Sequence, residues 1–179
     1  MSRFLTHPPK WLAILSCALV VFCLASSASA KDIFVAKNGN NSTGNGTSGR
    51  PYKTIQKGID VAQNGDRVLV RNGTYYEMVT FKRNGVELKA VNKHKAKIVS
   101  NQRYAVFTNG KNWLTIHNLD IKNTFDSWYD STGVAIINSH NVKVIGCRIH
   151  DCGGNGIGAK FSDALTIEWN TVFNNSRTN

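Results

Sequence analysis

The amino-acid sequence predicts an all-β fold, a right-handed parallel β-helix (solenoid) with a short N-terminal capping helix. Two observations predict it. From Val86 onward no long helical pattern occurs, and short β-rich runs alternate with Asn- and Gly-containing turns. Within that stretch three segments superimpose: residues 105–121, 133–149 and 156–172. Each opens on an apolar residue (Val106, Val134, Ile157). A second follows eight residues later (Leu114, Val142, Leu165), and a third seven beyond that (Ile121, Ile149, Val172). Only the return differs, 28 residues from Val106 to Val134 and 23 from Val134 to Ile157. Equal spacing with a variable return describes a coil of about three short strands. One such turn cannot bury its inner face alone, whereas stacked turns share a continuous core. An antiparallel sandwich accounts for the strands but not for the equal spacings.

Residues 1–30 read as a signal peptide. Arg3, His7 and Lys10 precede an apolar run from Trp11 to Leu24, and Ser27, Ala28, Ser29 and Ala30 suit a signal peptidase cutting before Lys31. The run falls short of the roughly 20 apolar residues that span a bilayer, so no stable membrane insertion is expected after cleavage. The expected location is secreted, extracellular or periplasmic. Without Arg3 and Lys10 the chain keeps 20 Lys+Arg against 11 Asp+Glu, a net +9. A basic exported protein attracts polyanions; acidic polysaccharide is the expected partner and a monomer the expected state. Nucleic acid is not expected, because export argues against it and no nucleic-acid motif occurs.

Residues 31–66 read as the N-terminal cap. A strand covers 32–36 and an Asn/Gly/Ser/Thr loop 38–49. A short helix is expected over about 54–64, with Ile55, Ile59 and Ala62 on one face, Thr54 as cap and Gly65 in the left-handed position after its end. Residues 67–179 read as the coils. The first contributes a strand at 67–71, a turn at Asn72-Gly73 and one strand at 74–81. Strand alternation turns Val142 and Val144 inward, stacked on Leu114 and Ile116 below and on Leu165 and Ile167 above. Leu119, Cys147 and Asn170 form another inward column, in which Asn170 needs partners and can bond the neighbouring coil's backbone at a bend. Cys17 and Cys23 belong to the leader, leaving Cys147 and Cys152. Export permits a disulfide, while a buried Cys147 behaves as a small apolar residue, which favours free thiols. No capping helix follows the last coil, so the expectation is the opening part of a longer solenoid.

The run Gly49-Arg50-Pro51-Tyr52-Lys53-Thr54-Ile55-Gln56-Lys57-Gly58-Ile59, followed by Gly65-Asp66-Arg67-Val68-Leu69-Val70 and Gly73-Thr74-Tyr75-Tyr76-Glu77, resembles the start of secreted pectate-lyase-like β-helix proteins. These include the family 9 polysaccharide lyases, chondroitinase-B-like alginate lyases and mannuronan epimerases. The resemblance covers residues 32–77 by motif and 105–173 by repeat. It implies a helix closing the bottom of the solenoid, and descent from enzymes that cleave pectate- or alginate-type polysaccharides by β-elimination. Family 9 lyases are known for a lysine base and an aspartate-rich calcium site. Residues 169–175 lack an aspartate cluster, so those positions do not carry over.

Outward columns supply the candidate site residues. One is Thr115–Lys143–Thr166. In another Asp120 faces Arg148 and Thr171, where Asp120 and Arg148 read as a surface ion pair. A third, Lys122–His150–Phe173, reads as solvated. The turn column Asn123–Asp151–Asn174 is either a polar ladder satisfying turn backbone or, with Asp126 and Asp130, a set of calcium ligands. The loop around Asp126, Trp128, Tyr129 and Asp130 combines carboxylates with aromatic faces that can stack on sugars. Substrate-binding candidates are therefore Trp128, Tyr129, Lys143 and Arg148, and metal candidates Asp126, Asp130 and Asp151. Lys160, outward on the last coil beside Ile137, is the candidate catalytic base. Hydrolysis would need two facing carboxylates about 5–10 Å apart, for which only Asp126 and Asp151 offer themselves. The rival to a lyase is a non-catalytic extracellular glycan-binding or adhesion protein.

Overall fold

The computed structural model describes residues 29–125 and 131–176. Short strands form three sheets. The first contains β1 (Asp32–Val35), β2 (Arg67–Val70), β5 (Glu87–Ala90), β8 (Thr115–His117), β11 (Lys143–Ile145) and β14 (Thr166–Glu168), stacked in that order. The second stacks β4 (Val79–Thr80), β7 (Tyr104–Phe107), β10 (Thr132–Ile137) and β13 (Asn155–Lys160). The third stacks β3 (Gly73–Tyr76), β6 (Ala96–Ser100), β9 (Asp120–Asn123), β12 (Arg148–His150) and β15 (Thr171–Phe173). Successive coils pair in parallel throughout the described residues, which excludes the antiparallel sandwich.

The register is the one the repeat implies. Val134 lies opposite Val106 and Ile157, Val144 opposite Ile116 and Ile167, and Ile149 opposite Ile121 and Val172. β-Branched and Leu side chains fill the interior because each inward position meets the same position one coil away. Leu88, Ile98, Ile116, Ile121, Val144 and Ile149 are completely buried. Ile167 and Val172, in the last described coil, remain about half exposed.

Helix α1 (Ile55–Val61) lies under the coils. Thr54 caps it by accepting from Lys57 N at 3.2 Å. It stops three residues short of the expected end. Ala62 is already extended, and the Asp66 carboxylate takes the N–H groups of Gln63 (2.8 Å) and Lys31 (2.9 Å). Gly65, at φ +92°, serves the turn before β2 and not the helix end itself.

The run 74–81 is also corrected, for it splits into β3 and β4. Glu77 stands at the bend, and its carboxylate accepts from Ile55 N (3.0 Å) and Gln56 N (2.9 Å) at the start of α1. The Gln56 amide completes the join. Its Oε1 accepts from Thr80 N (2.8 Å) and its Nε2 donates to Thr80 O (3.0 Å), as a neighbouring strand would. The second sheet therefore rests on a side chain.

Asn170 meets the neighbouring coil's backbone. It accepts from Cys147 N (2.8 Å) and donates to Val144 O (2.7 Å). Asn175 repeats the device, accepting from Cys152 N (3.0 Å) and donating to Ile149 O (3.4 Å). Cys147 and Cys152 are free and buried, and burial pushes both thiols up to about 11.

The second sheet bends. In β7, Ala105 and Val106 are both fully buried. In β10 a Cβ on Gly133 would point at Ile149 and Cys152, and Val134 is buried too. In β13 Gly156 faces Val172 and Asn175, and Ile157 packs on the core. Consecutive residues of a flat strand face opposite ways, so two successive inward residues require a kink. The kink draws the outward neighbours together. The rings of Tyr104 and Phe107 stand 4.9 Å apart, and Gly158 lies against Thr132 and Asn155.

Candidate functional site

A cleft of about 270 Å³ occupies the concave side of that bend. Arg103, Tyr104, Thr132, Asn155, Gly158 and Lys160 line it, with Ala135, Ile137 and Ala159. The small residues keep it open, because a side chain on Gly158 would project into it. The Arg103 guanidinium lies 5.3 Å over the Tyr104 ring, and Lys160 Nζ lies 5.0 Å from the centre of the Phe161 ring. Among the described residues the lining contains two cations and no carboxylate. Tyr104, Thr132 and Asn155 share one register position, while Lys160 pairs with Ile137 at the other end of the strand. At about 3.3 Å per residue and 4.8 Å per coil, Arg103 and Lys160 stand on the order of 20 Å apart.

The other candidate residues lie elsewhere. Lys143 is exposed on the first sheet, opposite Thr115 and Thr166. Arg148 and Asp151 belong to the third face, so Lys143, Arg148 and Lys160 are on three different sheets and do not gather. Asp126, Trp128, Tyr129 and Asp130 lie outside the described residues; in sequence they lead directly to Ser131 and Thr132.

On the third face the reading of Asp120 as half of a surface ion pair is overturned. Asp120 is completely buried. Arg148 donates to its Oδ2 through Nε at 2.7 Å and through Nη2, and His150 Nε2 faces its Oδ1 at 3.1 Å. His150 is not a solvated side chain either. Its Nδ1 faces Asp151 Oδ2 at 3.1 Å, and the Phe173 ring stacks on it at 4.9 Å and 8°. Lys122 Nζ donates to the same Asp151 oxygen at 3.1 Å. Alternation gave the outward direction correctly, but long side chains on adjacent coils fold over the short Asp120. The hydrogen bond from Lys122, with a further one from His150, draws the Asp151 carboxyl down to about 2.

Asn123 turns inward instead of joining the turn column, and its amide donates to Thr132 O (3.0 Å) and Arg103 O (3.3 Å). Its role is to satisfy turn backbone. The described residues do not fit calcium. Asp151 is matched by Lys122 and His150, and Asp120 by Arg148 and His150, so a divalent cation would sit against existing positive groups. Among the described residues no three His, Cys, Asp or Glu side chains gather as a metal site.

Residues 33–179 match the family described as Pel9A-like, right-handed β-helix region. The chain belongs to this Pel9A-like β-helix family. Solved structures share its fold. The lacto-N-biosidase of family GH136 from Eubacterium ramulus, as its selenomethionine derivative, is 19% identical with a TM-score of 0.70, over 82% of this chain and 35% of that one. An alginate lyase of family PL6 is 17% identical at TM-score 0.60, over 80% and 20%. Pectate lyase Pel9A is 15% identical at TM-score 0.58, over 79% and 47%. The chain thus spans about a third of the glycosidase and under half of the pectate lyase. No curated protein matches it in sequence. Its β-helix fold is thus shared with carbohydrate-active enzymes, among them lyases, methylesterases and glycosidases. No described helix is long and apolar enough to cross a membrane.

The cleft was missed in sequence. Its signal was present in the doublets Ala105-Val106, Gly133-Val134 and Gly156-Ile157, small then branched, at the same point of each repeat.

Proposed function

We propose that the chain forms part of an exported enzyme that cleaves an acidic polysaccharide by β-elimination, with substrate lying in the second-sheet cleft. The observation that carries this is that the described lining has an arginine at one end and a lysine at the other. Such a lining suits uronates, the acidic sugars on which β-elimination acts. In β-elimination a base removes the proton at C5 of a uronate. Charge moves into the adjacent carboxylate, the C4–O bond breaks, and a C4–C5 double bond remains. Lys160, in its neutral form, would take the proton, and the Arg103 end of the cleft would face a second uronate farther along. Tyr104 and the Asn155 amide offer a ring face and hydrogen bonds to the sugars between. The basic start, apolar run and small-residue end of residues 1–30 support export.

The test is to incubate the chain with polygalacturonate and with alginate and follow ultraviolet absorption of the unsaturated product. Product is expected, reduced roughly 10²–10⁴-fold by Lys160→Ala, the usual worth of a general base. Binding of either polymer without product would overturn catalysis in favour of a non-catalytic glycan-binding protein. One observation favours that second reading. A lysine serves as base when burial or a neighbouring cation favours its neutral form, and Lys160 is exposed.

A further inference from the structure

A second, larger cleft of about 580 Å³ lies at the corner where the first sheet turns into the third. It is built from the turns of three successive coils. Ala36, Lys37 and Asn38 follow β1, Arg71 and Asn72 follow β2, and Val91 and Asn92 follow β5. Among the described residues the lining again contains two cations and no carboxylate. Here the cations are held in place. Arg71 lies 5.4 Å over the Phe34 ring, and its Nη2 donates to Ser48 O and Oγ, both at 2.7 Å. Its backbone is fixed as well, since the buried Tyr75 hydroxyl donates to Arg71 O at 2.9 Å. Lys37 Nζ lies 5.3 Å over the Tyr75 ring, and its stem occupies the space a side chain on Gly73 would take.

Both cations keep unused donors. Among the described residues Lys37 Nζ has no hydrogen-bond or ion-pair partner, and Arg71 uses only Nη2. Around them stand three side-chain amides, and Asn92 Nδ2 donates to Asn72 Oδ1 at 3.0 Å, leaving the remaining amide atoms for other partners. Val91, 46% exposed, adds an apolar surface. Cations alone would suit any small anion. Cations, amides that both donate and accept, and an apolar patch together suit a carboxylated sugar.

We infer that this corner is a binding site for a carboxylate-bearing glycan, with Lys37 and Arg71 on the carboxylate and Asn72 and Asn92 on hydroxyls. The ligand class rests on the reading above; the site does not, since it lies on another face and two coils nearer the N-terminal helix. It would hold an acidic polymer at a point separate from the second-sheet cleft.

The test titrates the ¹⁵N-labelled full chain with trigalacturonate and follows the side-chain amide signals of Asn72 and Asn92. Those signals are expected to move. Lys37→Gln, which changes an exposed side chain, and Val91→Glu, which adds a negative charge at the rim, are each expected to weaken that response about tenfold, the worth of one charged hydrogen bond. A neutral galactose trimer is expected to leave the signals still. Still signals under saturating trigalacturonate, or an equal response to the neutral trimer, would overturn the site. So would inorganic phosphate that moves the same signals as strongly at equal concentration. Gly158→Leu separates the two clefts. Corner signals that respond while Gly158→Leu alters neither polymer binding nor product formation support the corner and sink the second-sheet reading. The reverse pattern sinks the corner.

Discussion

Asp120 illustrates how single residues settle the third face. A carboxylate with no exposure is costly unless cations and hydrogen bonds surround it, and Arg148 and His150 supply both. The sequence paired Asp120 with Arg148 correctly and misjudged the depth. Alternation reports direction, whereas depth depends on which side chains of the next coil fold across. Asp151, beside it, yields a pH prediction. Lys122 and His150 hold its carboxyl at about 2, below the ordinary 3.8. Between those values the folded chain binds fewer protons than the unfolded one, so stability rises with pH there. The stabilisation is complete above about pH 4 and disappears as pH falls towards 2. Urea unfolding of the parent and of Asp151→Asn should therefore differ at pH 5 and converge near pH 2. A difference independent of pH would show that the carboxylate is not what Lys122 and His150 stabilise.

At the scale of the element, the kinked strands of the second sheet make the sharpest claim. Gly133 and Gly158 belong to neighbouring strands and face opposite ways. A Cβ on Gly133 would stand 2.6 Å from Gly156 O, 2.8 Å from Ile149 Cγ2 and 2.9 Å from Cys152 Sγ. A Cβ on Gly158 would meet nothing nearer than Thr132 Cγ2 at 3.4 Å, an ordinary contact. Gly133→Ala should thus cost about 1–3 kcal/mol as an overpacked core, while the much larger Gly158→Leu should cost under about 1 kcal/mol. Denaturant midpoints of the two variants decide it; equal losses would mean that the strands are flat. Strand register was legible in sequence because coils of equal spacing can stack in only one way. The kink was not, since Ala105-Val106 reads equally well as an ordinary apolar pair. The helix end was misplaced for a related reason. Periodicity carried on through Ala62, but Asp66 captured the N–H groups of Gln63 and Lys31 and closed the turn early.

For the whole molecule, winding decides which cations become neighbours. Lys143, Arg148 and Lys160 lie within 18 residues of sequence, yet the coil distributes them over three faces. Lys37 and Arg71 are 34 residues apart and meet at one corner. A site of that kind is invisible to motif reading, because its spacing is set by coil length and not by local pattern. The net +9 of residues 31–179 acts over the same surface. Exposed charges are screened within about 10 Å at 0.1 M salt, so retention on immobilised polygalacturonate should fall at least tenfold between about 0.05 and 0.5 M NaCl. A column of neutral galactan should show no such dependence, and retention that survives high salt would mean that shape, not charge, governs binding. The Gln56 amide beneath Thr80 has a consequence for how the molecule is made. It occupies the donor and acceptor that a strand below would use, so the second sheet can add material on one side only. Each new coil then finds a finished template already laid by the coil before it. In a chain synthesised from its N-terminus the helix and first coil emerge before the coils that stack on them, so synthesis runs in the direction in which the second sheet can grow.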